Sequence, residues 1–332
     1  MRILYFIENN WVFGKIFNEL IKYLHPDIDG DILCWDRLYD TEEAEMLRDK
    51  YDLYFSTPVG CFFLHDNYGW PLEKCYAQAH SEFDIADALA RFPQEYFDQL
   101  AGYAAVSPFI WQASLDVGVS RVPSLLPVGV TSANYARPIS KKVSRLGYFG
   151  RMHRSDVDGQ PDIKRGYLAA QVAERTGLEF YNREYVHFLA ADRLYQNVDL
   201  VMFCSTTEGN PYVAIEAAAA GLPTLGTGVG IFPAIASAGG GIVLPTDETE
   251  FVDSAVVAIE RLKANYDLYF YMSNAATMTS KAFDWAAIKS LWLDEFYGVF
   301  STDALKRKDS HVPKTETSAH QADTPSSDQA TN

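Results

Sequence analysis

Residues 198–227 read VDLVMFCSTTEGNPYVAIEAAAAGLPTLGT. The apolar run VDLVMFCS (198–205) is short and ends in small polar residues, as a buried strand does. A helical pattern follows at 211–220, and a second short run, PTLGT (223–227), follows that. The order strand, helix, strand is the unit of a parallel sheet. Pro211 suits the first helical turn, where its missing N–H has no intrahelical partner to lose. The alanine-rich continuation favours helix. The start of that helix presents free N–H groups and the positive end of its dipole, a natural seat for an anion. Gly209 allows a ligand close to the backbone. Glu208 stands at the mouth of this seat. Glu216 lies eight residues on, about 80° past two full turns, hence on a flank of the helix. Two carboxylates so placed can meet different parts of one ligand. The same residues also fit an acidic helix cap and a solvated helix glutamate.

Outward from this stretch the alternation repeats. The runs 2–7, 31–35, 52–56, 75–79, 103–107 and 124–130 read as strands, with a helical pattern at 13–24. A second set of strands begins at LGYFG (from 146) and includes 178–182, 198–205, 223–227 and 241–245. Helical patterns intervene at 165–176, 211–220, 249–262 and 284–299. Two doubly wound α/β domains are expected, covering 1–135 and 136–283, with a polar linker near 133–144. A closing helix occupies 284–300. Residues 301–332 lack aromatic side chains and read as a disordered tail. No short tandem repeat is present. Ligands of open parallel sheets sit at the C-terminal ends of strands, so site residues should follow strands.

The chain has 332 residues, 28 basic and 44 acidic, for a net charge of −16. Such a surface repels phosphate backbones and anionic lipid, which argues against a nucleic-acid partner and allows at most peripheral membrane contact. Its 48% hydrophobic content supports a sizeable core without disulfides. The cysteines, Cys34, Cys61, Cys75 and Cys204, form no C-x-x-C pair, and a reducing, cytoplasmic compartment is expected. MRILYFIENN reads as a first strand and not as a signal peptide. No run reaches the length of a transmembrane helix. No G-x-G-x-x-G follows the first strand, which argues against a nicotinamide-dependent dehydrogenase.

EGNPYVAIE (208–216) followed by AAAAGLPT resembles the E-x7-E signature of retaining GT-B glycosyltransferases of family 4 type. Other landmarks fall in that family's order: YAAVSPFI (103–110), LLPVGV (125–130), LGYFGR (146–151), ADRLYQNVDLVMFCSTTEG (191–209) and FDWAAIKSLWLDEFYGVF (283–300). The resemblance covers about residues 1–300. It implies two Rossmann-like domains facing a cleft, with the last helix crossing back to the first domain. It also implies transfer of a sugar from a nucleoside diphosphate to a hydroxyl acceptor such as a glycan, a glycolipid or lipid-linked glycan, or a small molecule. The implied reaction retains configuration and needs no metal or other cofactor. Neither DGD (29–31) nor DVD (156–158) reads as a D-x-D motif at a strand end. The alternative is a non-catalytic GT-B module that binds a nucleotide sugar or glycan or scaffolds partners.

Carried over by position, the resemblance implies that Glu208 and the backbone of Gly209, Asn210, Pro211 and Tyr212 hold the donor sugar and distal phosphate. Glu216 would hold the ribose hydroxyls. Arg151 and Lys164 would bind the pyrophosphate, where cations stabilise the leaving group's growing negative charge. His80, at the end of the run 75–79, would face the donor sugar. Twelve residues separate Arg151 from Lys164, more than the family pattern has, and Arg154 and Arg165 are rivals for the second position. The double-glycine loop after the first strand is reduced to Gly14, with Trp11 nearby for ring stacking or core packing. His65 and His153 lack motif support, and His187 and Asp192 would only shape the approach to the base pocket. The run 228–241 resembles the glycine-rich loop behind the donor.

Overall fold

The computed structural model describes residues 1–8, 12–35, 41–152, 162–183 and 188–309. Trp11, His153, Arg154, the DVD of 156–158, His187 and the tail from 310 lie outside the described residues.

The first half runs β1 (Arg2–Ile7), α1 (Val12–Leu24), β2 (Asp29–Cys34), α2 (Thr41–Arg48), β3 (Leu53–Ser56), α3 (Pro58–Tyr68), β4 (Cys75–Ala79), α4 (Glu82–Arg91), α5 (Glu95–Gln99), β5 (Gly102–Ala105), α6 (Pro108–Asp116) and β6 (Ser124–Leu125). Its sheet has six parallel strands in the order β2-β1-β3-β4-β5-β6. The second half runs β7 (Arg145–Tyr148), α7 (Gly166–Thr176), β8 (Glu179–Asn182), a 3-10 segment (Phe188–Asn197), β9 (Leu200–Phe203), α8 (Tyr212–Ala219), β10 (Thr224–Thr227), α9 (Phe232–Ile235), β11 (Gly241–Leu244), α10 (Glu248–Ala264), α11 (Tyr266–Ser280) and α12 (Trp285–Asp309). Its five parallel strands are ordered β11-β10-β9-β7-β8. Both sheets carry helices on their faces, the doubly wound arrangement that buried, near-continuous apolar strands demand.

Local chemistry explains the helix starts that follow the strands of the first sheet. Thr57 caps α3 ahead of Pro58, and Ser107 caps α6 ahead of Pro108. Ser81 and Asp84 form a capping box on α4. In α1 the residues Ile16, Phe17, Leu20 and Leu24 are buried against the first sheet, as their spacing predicts.

α12 crosses back onto the first lobe. Trp292 and Phe296 meet Phe55 at 5.9 and 6.2 Å between ring centroids, and Phe296 meets Tyr76 at 5.5 Å. Trp292 Nε1 donates to the Pro127 carbonyl at 2.9 Å. The two passages between lobes lie side by side. Val130 bridges Asp284, and Glu19 of α1 accepts from Thr131 N at 3.1 Å, Thr131 Oγ1 at 2.9 Å and Trp285 Nε1 at 2.9 Å. Burial pushes the Glu19 carboxyl above its ordinary range, against the pull of Lys15 and these donors.

Three expectations shift. The run 124–130 pairs over Ser124–Leu125 alone, where Pro127 brings no N–H to a ladder. α12 extends to Asp309, past the expected tail start at 301, and ALKRK (304–308) consists of strong helix formers. α11 was not anticipated, because it exposes aromatic residues, Phe270 and Tyr271 among them, in place of a clean apolar stripe.

Trp292 is fully buried and joins α12 to the first sheet. Replacing it with alanine should lower stability by about 3–5 kcal/mol in denaturant titration, with no loss expected if α12 packs elsewhere.

Candidate functional site

A cavity of about 610 Å³ lies between the lobes. The first lobe lines it with Glu8, Val12, Phe13 and Lys15, and the second with the 148–151 loop, Lys164, Arg183, Tyr195, Ser205, Glu208, Asn210, Pro211, Tyr212 and Glu216. Seven residues singled out by sequence therefore meet here: Arg151, Lys164, Glu208, Asn210, Pro211, Tyr212 and Glu216.

Arg151 and Lys164 converge despite their separation in sequence. The Tyr148 hydroxyl lies 2.9 Å from the Arg151 carbonyl and 3.1 Å from that of Lys164, which ties the two backbones together. Arg165 takes the left-handed conformation (φ 48°) and turns into the second lobe. Its Nε donates to the Cys204 carbonyl at 2.9 Å and its Nη1 to that of Thr246 at 2.7 Å. The rival cation is thus a buried anchor, and its neighbour Lys164 is the one that faces the cavity. Lys164 Nζ pairs with Glu208 Oε1, which also accepts from Ser205 Oγ at 2.7 Å.

Gly209 meets the first lobe. A Cβ there would lie 1.8 Å from the His80 carbonyl oxygen and 3.0 Å from Ile110 Cδ1, both in the first lobe. Ser107 Oγ donates to the Gly209 carbonyl at 2.5 Å. The missing side chain lets the lobes touch, and Gly209 is not among the cavity's lining residues. Tyr212 makes a second crossing, its hydroxyl donating to the Gly129 carbonyl at 2.7 Å.

Gly14 and His80 also lie off the cavity lining. Gly14 is buried inside α1, where its carbonyl accepts from Asn18 Nδ2, so no glycine loop is built there. The His80 ring stands edge-on to Phe13 at 4.7 Å and Phe17 at 6.2 Å between centroids. Burial lowers its pKa to about 3, so it is a neutral imidazole near pH 7. His65 Nδ1 lies 2.8 Å from the Trp70 carbonyl and serves α3.

Glu216 is 7% exposed and surrounded by donors. Lys15 Nζ donates to its Oε1 at 2.7 Å, the Tyr135 hydroxyl donates to the same oxygen, and the Tyr195 hydroxyl donates to Oε2 at 2.7 Å. Lys15 also lies 4.6 Å from the Tyr135 ring centroid and bonds its hydroxyl. Burial first, and then the Glu216 charge, push both phenols far above their ordinary range, so they stay protonated and act as donors. Phe149 stands edge-on to Tyr195 at 4.7 Å between ring centroids, and Arg183 lies 4.8 Å from the Tyr181 ring centroid, so aromatic side chains line this side of the second lobe. Sequence reading missed Lys15, Tyr135 and Tyr195. The available signal was a lone lysine beside the apolar face of α1.

Residues 158–261 match the family model described as glycosyl transferases group 1. No curated protein matches the sequence. Among solved structures, Anabaena Alr3699/HepE in complex with UDP and glucose is similar at TM-score 0.65 and 14% identity, over 90% of this chain and 100% of that one. Sucrose-phosphate synthase from Thermosynechococcus elongatus is similar at TM-score 0.64 and 14% identity, over 91% and 100%. The pneumococcal O-GlcNAc transferase GtfA, with UDP and GlcNAc, is similar at TM-score 0.59 and 15% identity, over 78% of this chain and 59% of that one.

Gly209→Ala should lower stability by about 1–3 kcal/mol, because the added methyl meets a backbone carbonyl and the lobes must part. Unchanged thermal unfolding would remove this contact from the account. His80 binds its proton more weakly folded than unfolded, so its contribution to stability falls as pH drops from about 6.5 towards 3. A His80→Gln variant should lose less stability than the parent between pH 7 and 4, read by denaturant midpoints. The two-sheet architecture and its structural neighbours establish the GT-B fold, and the family match adds support for a glycosyltransferase.

Proposed function

We propose that the chain is a retaining glycosyltransferase of family 4 type that moves a sugar from a nucleoside diphosphate to a hydroxyl acceptor. The observation that carries this reading is the convergence of Arg151, Lys164, Glu208, Glu216 and the start of α8 on one inter-lobe cavity. The diphosphate takes the end where Arg151 and Lys164 meet, competing with Glu208 for the Lys164 ammonium. Glu208 and the backbone at Asn210 and Pro211 face the sugar, and Glu216 faces the ribose. The base lies against the side formed by Phe149 and Tyr195. UDP is the first nucleotide to test, because solved structures of similar fold hold it.

In the reaction the bond between the sugar's anomeric carbon and the phosphate oxygen breaks. The acceptor oxygen bonds that carbon on the same face, and its proton passes to the departing phosphate. Negative charge grows on the diphosphate as this happens. Arg151, Lys164 and the α8 N–H groups are positioned to stabilise it, which is why the reading assigns no metal. The acceptor is a glycan, a lipid-linked glycan or a small hydroxyl compound. Among the described residues no helix is long and apolar enough to cross a membrane. The buried cysteines Cys61, Cys75 and Cys204 suit a reducing compartment, and the reading places the enzyme in the cytoplasm.

A thermal-shift panel of UDP, GDP, ADP and their sugars tests the proposal. One nucleotide should stabilise the protein by about 2.7 kcal/mol at one hundred times its Kd. Arg151→Ala and Lys164→Ala should weaken that nucleotide, and Glu208→Ala should abolish sugar turnover or hydrolysis. Chelator should leave turnover unchanged. No shift with any nucleotide, or full turnover by Glu208→Ala, sinks the reading.

A further inference from the structure

The Lys15–Glu216 pair joins the lobes inside the cavity. Lys15 belongs to α1 of the first lobe and Glu216 to α8 of the second, and their side chains are 9% and 10% exposed. A carboxylate offers about four lone-pair sites. Three are filled: two on Oε1, by Lys15 and Tyr135, and one on Oε2, by Tyr195. The remaining acceptor site is on Oε2, the oxygen that Lys15 leaves open. One turn further along α1, Glu19 holds Thr131 and Trp285 where the two passages between lobes run together. The same helix therefore touches the pocket and the hinge.

We infer that Lys15 is a positioning residue of the donor pocket: the first lobe carries it in, and it fixes the Glu216 carboxylate with one oxygen edge turned to the ribose. The inference rests on the reading of Glu216 as the ribose contact. Its consequence is that the second lobe alone does not complete the donor pocket. Of the three protein donors to Glu216, Lys15 is the charged one, and α1 of the first lobe carries it. Other ionisable groups close to the pair are Tyr135 and Tyr195, which stay protonated, Tyr212 on Glu216's own helix, and Glu19 beside Lys15. Among the described residues Lys15 is the cation that pairs with Glu216, while Arg151, Lys164 and Arg183 line the same cavity.

A lysine that merely glued the lobes together would weaken all ligands alike, whereas one that orients Glu216 sets discrimination at the ribose. Calorimetric titration of the full chain with UDP and with 2′-deoxy-UDP separates the two, with a melting curve for each variant to show that it is folded. The parent protein should prefer UDP by about tenfold or more, the scale of a lost hydrogen bond to a charged acceptor. Lys15→Met should bind both nucleotides with nearly equal affinity. Lys15→Gln, which keeps a polar group at that position, carries the test if the methionine variant does not fold, and should also lose most of the preference. A folded variant that keeps the parent's preference overturns the inference while leaving the site reading intact. A parent protein that binds UDP without preferring it overturns the ribose role of Glu216, and the inference with it.

Discussion

The contact on which the site depends is the ion pair between Lys15 and Glu216. Its partners are 201 positions apart in sequence and 2.7 Å apart in space. Each charge is buried deeply enough that it needs the other. Removing one member of such a pair typically costs about 3–5 kcal/mol, because the survivor is left uncompensated. The lobes thus have a strong electrostatic reason to meet at one register. Around this pair other crossings are hydrogen bonds: Tyr212 to Gly129, Ser107 to Gly209, Thr207 to Glu82, and the Glu19 clamp on Thr131 and Trp285.

The same geometry reconciles an acidic protein with the anionic ligand proposed for it. The net charge of −16 describes the surface as a whole. Within the cavity Lys15, Arg151, Lys164 and Arg183 all contribute, alongside Glu8, Glu208 and Glu216. Lys164 and Glu208 are partly exposed, with side chains at 29% and 21%, so their pair is softened by solvent and is exchangeable. Lys15 and Glu216 are not screened in this way. In the proposed function the exposed pair yields to a phosphate and the buried pair holds its shape.

Much of the fold was legible because it is local. Strand, Pro211 and alanine-rich helix specify β9 and α8 within some twenty residues, and the repeated alternation predicts two parallel sheets. The carboxylate pair was legible for the same reason, since both members sit on one short segment. What was illegible is what depends on tertiary contacts, within the second lobe as well as between the lobes. Arg151 and Lys164 could be named as cations, yet their convergence depends on the Tyr148 hydroxyl bridging two carbonyls. Gly209 looks like a ligand cradle in sequence, but the His80 carbonyl occupies the space where its side chain would be. Arg165 competes with Lys164 as a letter and loses as a conformation. Lys15, Tyr135 and Tyr195 come from three separate segments, and no spacing rule links them.

The most direct test of the central claim is a crystal structure of the full chain with UDP bound. Diphosphate oxygens are expected within hydrogen-bond distance of Arg151 and Lys164. A ribose hydroxyl is expected on Glu216 Oε2, with Lys15 still paired to Oε1. A diphosphate seated away from those two cations, or a Lys15 swung out of the pocket with Glu216 held by the second lobe alone, would contradict that claim.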